Sequence, residues 1–370
     1  MRIGTEHEYS VNSPDFDPLP ISDRIIEEIS GSVAGEIPFA GLSLCKELQK
    51  TVIEFVPAMP AETVQDLEAC ILPGIVEFHR RFGDRYHLLG LGMHPLLRLE
   101  QTSVWDHDEQ EYYAAYDRLF NIRQHGWLNI QALQINLEYS DESCLVDLFN
   151  RLRCLVPFLV AVTASSPLVE GRMTGFLDNR LVYYQENQRQ IPLICNRIIP
   201  GKIERLKDYL SVQEEIYREL KKYDADILCE EWVTSGGLIV RFSRPCIEIK
   251  ALDEQECLRS DMAVCAFVRA LLRCGSLDLE EDRDALVELT GEVMIKGTAA
   301  VRPELDALFR KACAAASRDE NRYLPLIGER IADGSLAEQM RAKLDRTGDI
   351  KGMLRELSES LRSNVPWTAG

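Results

Sequence analysis

Glu6 and Glu8 stand two residues apart in the opening stretch Ile3-Gly4-Thr5-Glu6-His7-Glu8-Tyr9, which reads as a β-strand. A strand has a period of two, so both carboxylates project from one face of a sheet. Like charges on one face repel unless a cation lies between them. A hard divalent ion such as magnesium, which favours carboxylate oxygens and also binds phosphates, suits that place. Taken alone, the pattern more readily describes the wet side of an antiparallel strand. Its recurrence along the chain gives it weight.

In Lys50-Thr51-Val52-Ile53-Glu54-Phe55-Val56-Pro57, Glu54 is the one acid in an apolar run, with Glu47 seven residues earlier beside Lys46. A charge there is costly unless paired or metal-bound. In Ile130 to Tyr139, Leu133, Ile135 and Leu137 alternate with Gln134, Asn136 and Glu138. In Cys246-Ile247-Glu248-Ile249-Lys250, Glu248 and Lys250 share a face, and Arg241 precedes them on a neighbouring strand. Together these segments describe a sheet whose polar face is rich in oxygen ligands with a few cations among them. A nucleotide site built on magnesium requires that combination, because carboxylates hold the ions and the ions hold the phosphates.

The rest of the chain sets the frame. Strand patterns also cover residues 2–10, 86–93 and 238–242, and helical patterns cover 61–82, 109–124, 202–223 and a long segment capped by Asp141 and ending near Ala164. Asp253-Glu254-Gln255-Glu256 reads as a capping box for a helix reaching Arg273, and helical, charged sequence fills residues 279–361. Residues 180–184 are ambiguous. Strands among long helices, without regular βαβ alternation, point to an α+β fold on an antiparallel sheet. No G-x-G-x-x-G or Walker A motif occurs, which points away from Rossmann and P-loop folds. None of the 11 cysteines forms a C-x-x-C pair, so reduced thiols are expected. The formal charge of −18 argues against general affinity for nucleic acid or anionic membrane. No run approaches the roughly 18 apolar residues that span a bilayer, and the polar start lacks a signal-peptide pattern, so a cytoplasmic location is expected.

Four motifs resemble the glutamate–cysteine ligase and carboxylate–amine ligase family, above all its second bacterial type. Ile3-Gly4-Thr5-Glu6-His7-Glu8 is similar to its I-G-x-E-x-E, and Glu47 to Pro57 to its acid-x6-E strand. Ala164-Ser165-Ser166-Pro167-Leu168, followed by Gly171-Arg172, Thr174-Gly175-Phe176 and Arg180, is similar to its A-S-S-P…G…T-G-Y…R; Glu248-Ile249-Lys250 with Asp253 is similar to its E-x-R…D. The matches fall in family order within residues 2–260. The resemblance implies a curved antiparallel sheet whose concave face carries the active site, flanked by helices. It also implies one catalytic domain over residues 1–370, with a sheet-bearing core at 1–260 and a helical part at 261–370 packed on it.

The resemblance implies an ATP-dependent ligase that joins a carboxylate to an amine through an acylphosphate, with glutamate plus cysteine or a related amine as substrates and glutathione biosynthesis as the setting. Glu6, Glu8, Glu47, Glu54 and Glu248 match magnesium-ligand positions, and Gln134 and Asn136 stand where the family carries histidines. Lys250 matches a phosphate-contacting arginine, and Arg172, Arg180 and Arg241 fall to substrate carboxylate or ATP. Glu54, Arg180 and Lys250 are the expected catalytic residues, with two or three magnesium ions as cofactors, as in metal-assisted phosphoryl transfer generally. A catalytically altered relative that binds Mg-ATP but acts in regulation or on an unrelated substrate is the alternative. Small-molecule substrates are the expected partners, with a homodimer left open. His94-Pro95 matches a family turn and reads as structural.

Overall fold

The computed structural model describes residues 1–195 and 197–369. Its strands are β1 (Ile3–Asn12), β2 (Glu36–Phe39), β3 (Leu42–Lys46), β4 (Val52–Pro57), β5 (His87–Leu89), β6 (Ala132–Glu138), β7 (Leu168–Val169), β8 (Arg172–Met173), β9 (Leu238–Arg241) and β10 (Cys246–Asp253). Eight of them form one antiparallel sheet in the order β2-β3-β4-β1-β6-β10-β9, with β5 pairing the far end of β1; β7 and β8 make a separate hairpin. The sheet is open, with β2 and β9 at its edges. The α+β reading and the helical C-terminal region are both present.

The alternation seen in the sequence decides which face is buried. Tyr9, Ile53, Phe55, Leu133, Ile135, Leu137, Ile247 and Ile249 are fully buried on one face, among the apolar residues of the helices Val64–Phe82, Glu142–Thr163 and Leu258–Leu272. Each such side chain contributes about 1.5–3 kcal/mol of burial. A one-residue slip of any strand would throw that set onto the polar face, so the same alternation fixes register. In that register Glu8 pairs with Glu54, Glu6 with Gln134, and Asn136 with Glu248.

Local chemistry starts the covering helices. Asp141 caps Glu142–Thr163 by accepting from the Cys144 N–H at 2.9 Å, and Thr63 caps Val64–Phe82 by accepting from Asp66 N–H at 3.0 Å. A Cβ at Gly74 would lie 2.3 Å from Leu42 Cδ2, so glycine there lets the second helix sit close against β3. Among the described residues no helix is long and apolar enough to cross a membrane.

Three expectations change. The strand foreseen at 86–93 shrinks to β5, and the ambiguous segment at 180–184 lies in the helix Asn179–Glu186. The capping box at Asp253–Glu256 does not form. The following helix begins at Leu258 behind Cys257, which makes no side-chain cap bond, while Asp253 closes β10 and spends its carboxylate on distant partners. The hairpin of β2 and β3 is an addition. Its turn residues Ala40 and Gly41 both have positive φ, at 48° and 90°.

Candidate functional site

The polar face of β1, β4, β6 and β10 lines a cavity of about 300 Å³ that brings Glu6, Glu8, Glu47, Glu54, Gln134, Arg180, Arg241 and Lys250 together. Glu47 sits just past the end of β3 rather than on a strand. Asn136 lines an adjoining cavity of about 560 Å³, which shares Glu6, Glu54 and Arg244 with the first. Glu248 is fully buried beneath the cations of the first cavity.

The carboxylates divide into two electrostatic groups. Glu8, Glu47 and Glu54 each offer an oxygen within 4.8 Å of the others. Burial, then the neighbouring Glu47, pushes Glu8 up to about 8. Burial followed by Glu6, Glu47 and Glu8 pushes Glu54 well above the usual carboxylate range, and burial raises Glu47 as well. Glu248 goes the other way. Burial alone would raise it, but Lys250 and Arg241 outweigh that and hold it low. Lys250 Nζ lies 3.1 Å from Glu248 Oε1, and Arg241 and Arg244 donate to Oε2 at 3.0 and 3.3 Å. Positive charge is therefore concentrated at Glu248 and scarce at Glu8, Glu47 and Glu54.

The donor set fits a hard cation at that deficient end. It supplies several carboxylate oxygens, and Gln134 adds a neutral one: its amide donates to Glu8 Oε1 at 2.7 Å, while its own buried Oε1 has no partner among the described residues. Ala132 N–H donates to Glu8 Oε2 at 2.9 Å, and Asn136 Nδ2 donates to Glu6 Oε1 at 3.1 Å. These bonds point the carboxylates before any ligand arrives. Behind β1, Glu254 Oε2 accepts the Glu8 N–H at 3.0 Å, and Glu254 and Asp261 both lie 3.4 Å from His7 Nδ1. That buried group anchors the strand from its other side.

Arg180 is tied down from a distance. Its Nε donates to Asp253 Oδ1 at 2.7 Å and its Nη2 to the Lys250 carbonyl at 3.1 Å. The other Asp253 oxygen accepts from Ser165 N–H at 2.9 Å and from the Ser166 hydroxyl at 2.7 Å. Gly92 makes room for this hub, since a Cβ there would fall 2.1 Å from the Asp253 carboxyl carbon. The Ala164–Leu168 motif thus orients Arg180 through Asp253 instead of lining the cavity. His94 is buried, with Nδ1 accepting from Leu96 N–H at 3.2 Å, in keeping with a structural turn.

Arg172 is exposed on β8 and lines neither cavity. Arg244 does line both, and it donates to Glu6 Oε1 at 2.8 Å. The sequence presents it only as the middle of a Ser-Arg-Pro turn, and its reach across to β1 depends on β6 lying between β1 and β10. The walls above the carboxylates come from Tyr116, Trp127 and Tyr184, also unforeseen.

Residues 2–360 match the family model described as glutamate-cysteine ligase family 2. An "Uncharacterized protein" of Archaeoglobus fulgidus is 46% identical over 365 residues, covering 98% of this chain and 99% of that one. The solved glutamate–cysteine ligase of Francisella tularensis in complex with AMP superposes with a TM-score of 0.63 at 11% identity, over 98% of this chain and 89% of that one. The bifunctional glutathione synthetase of Pasteurella multocida gives 0.60 at 11% identity, over 98% of this chain; the chain spans about half of that protein's length, 51%. At that identity the two structures speak for the fold alone.

Proposed function

This chain belongs to glutamate-cysteine ligase family 2, and on that premise we propose that it is an ATP- and magnesium-dependent carboxylate–amine ligase. The observation that carries the reading is the split of charge on one polar face. Three carboxylates that form no ion pair among the described residues stand beside a cluster of Arg241, Arg244 and Lys250. That face suits a phosphate chain bridged to protein by cations at one end and held by basic side chains at the other. The solved relative with AMP supports a nucleotide on this fold.

Glu8, Glu47 and Glu54 would hold magnesium, with Glu6 and Gln134 at its margin; bound there, magnesium neutralises phosphate oxygens. The γ-phosphoryl group passes to a substrate carboxylate oxygen, and ADP departs. The amine nitrogen then attacks the acyl carbon, phosphate leaves with the C–O electron pair, and the nitrogen gives up a proton to form the amide. Lys250 and Arg244 are placed to offset charge that builds on the transferring group, and Arg180, locked by Asp253, to fix an anionic substrate. Glutamate with cysteine is the pair the family description favours. Gln134, in a histidine's place, donates to Glu8 and offers a free oxygen.

The test is a mass-spectrometric screen of amino-acid pairs with ATP and magnesium. An amide product formed with stoichiometric ADP and phosphate is the expected result. Phosphate release without amide would favour a hydrolase, and ATP binding without any turnover would favour a regulatory relative.

Acidity supplies a second expected result. Glu8 titrates near 8 in the folded protein and at the ordinary carboxylate value when unfolded. A raised folded value means stability is full below about 4.5 and is lost as pH climbs through about 8, by up to about 1.4 kcal/mol per pH unit for one group. Magnesium replaces that proton. The rise in melting temperature on adding magnesium should therefore be larger at pH 8 than at pH 6, and equal rises would remove Glu8 from the metal site.

A further inference from the structure

At the opposite end of β1 from Glu6 and Glu8, β5 and the helices Val64–Phe82 and Ile350–Ser363 border another cavity, of about 490 Å³. Its wall is basic in a chain of net charge −18: Arg80, Arg355 and Arg362 face only Asp84 and Glu359. Arg355 makes no hydrogen bond or ion pair among the described residues. Arg80 and Arg362 are paired to glutamates one helical turn back, Glu77 and Glu359. Exposed pairs of that kind hold little energy, about 0–1 kcal/mol, so both forks are free to turn to a better acceptor.

Two histidines complete the wall. His87 is stacked on Phe16 at a centroid separation of 5.3 Å, which fixes its ring. Both ring nitrogens of His79 are buried with no hydrogen-bond partner among the described residues. Any imidazole carries at least one N–H, and leaving a buried donor without an acceptor costs about 1–3 kcal/mol. His79 shares its cavity wall with three arginines. Burial, then Arg362 and His87, pushes His79 down to about 4 against the opposing pull of Glu359.

We propose that this cavity is a binding site for a small dianion of the phosphate class, separate from the ligase face. The anion would accept from His79 and from the arginine forks, whose planar paired donors match phosphate oxygens. Nothing in this assignment depends on the proposed ligase reaction.

Inorganic phosphate is the probe, titrated without magnesium into the full chain carrying labelled histidine rings. Saturable shifts of the His79 and His87 resonances are expected, with matching heat by calorimetry. Arg355→Ala, an exposed change that leaves packing intact, should weaken the affinity about tenfold or more, the loss of one charge-assisted bond. Arg244→Ala, in the other cavity, should leave it unchanged. Histidine resonances that do not move, an affinity unchanged in Arg355→Ala, or an affinity lost in Arg244→Ala would each overturn the assignment; the last would place the phosphate on the ligase face.

Discussion

Glu54→Gln should lower magnesium-dependent amide formation by about 10²–10³-fold, the scale of losing one preorganised electrostatic group, and at the same time raise the melting temperature of the metal-free protein. The two effects have one cause. Glu54 is buried against Glu6, Glu47 and Glu8, and burial together with their charge outweighs Lys250 and holds its carboxyl far above the usual range. The amide keeps the shape and cannot ionise, so repulsion in the empty protein falls while a cation loses a charged ligand. A purely structural glutamate would behave differently, losing stability and activity together. The checks are thermal unfolding with and without magnesium and a product assay at saturating ATP. A variant that is less stable without magnesium, or that retains full turnover, would refute the assignment of Glu54.

The visibility of this site in the sequence varied with the range of the interactions involved. Glu6, Glu8, Gln134, Asn136 and Glu248 were legible because a strand's alternation is local: Gln134, Asn136 and Glu248 each lie between apolar neighbours that must face a core, and Glu6 and Glu8 stand two apart on one strand. Their antiparallel sheet followed from the same pattern. Glu47 was legible only through resemblance, since it lies past the end of β3 and shares no periodicity with its partners. Arg244 was invisible, because its bond to Glu6 joins residues 238 positions apart across an intervening strand. The β2–β3 hairpin was hidden by its turn, where Ala40 occupies a left-handed position usually marked by Asn, Asp or Gly. Asp253 was misread for a related reason. Four polar residues ahead of an apolar helix look like a cap, and local spacing carries no trace of partners at Ser165 and Arg180.

Asp253→Ala is expected to cost about 3–5 kcal/mol of folding stability, the largest loss from any single change near the site, because it strands a buried charge. Arg180 is almost fully buried and its guanidinium depends on Asp253 Oδ1 at 2.7 Å. The same substitution removes the acceptor for Ser165 N–H and the Ser166 hydroxyl, so two neutral donors lose their partner as well. Removing the cation along with the anion should reverse much of the loss: Asp253→Ala combined with Arg180→Met should be more stable than Asp253→Ala alone, though still inactive if Arg180 fixes substrate. Denaturant unfolding of wild type, both single variants and the double variant closes the cycle. A loss below about 1 kcal/mol for Asp253→Ala, the range of an exposed ion pair, would show that Arg180 finds another acceptor. A double variant no better than the single would show that the hub's stability lies in the serine bonds. Either outcome would remove the link between the Ser165-Ser166 segment and the orientation of Arg180, and with it the reason that segment lies under the cavity without lining it.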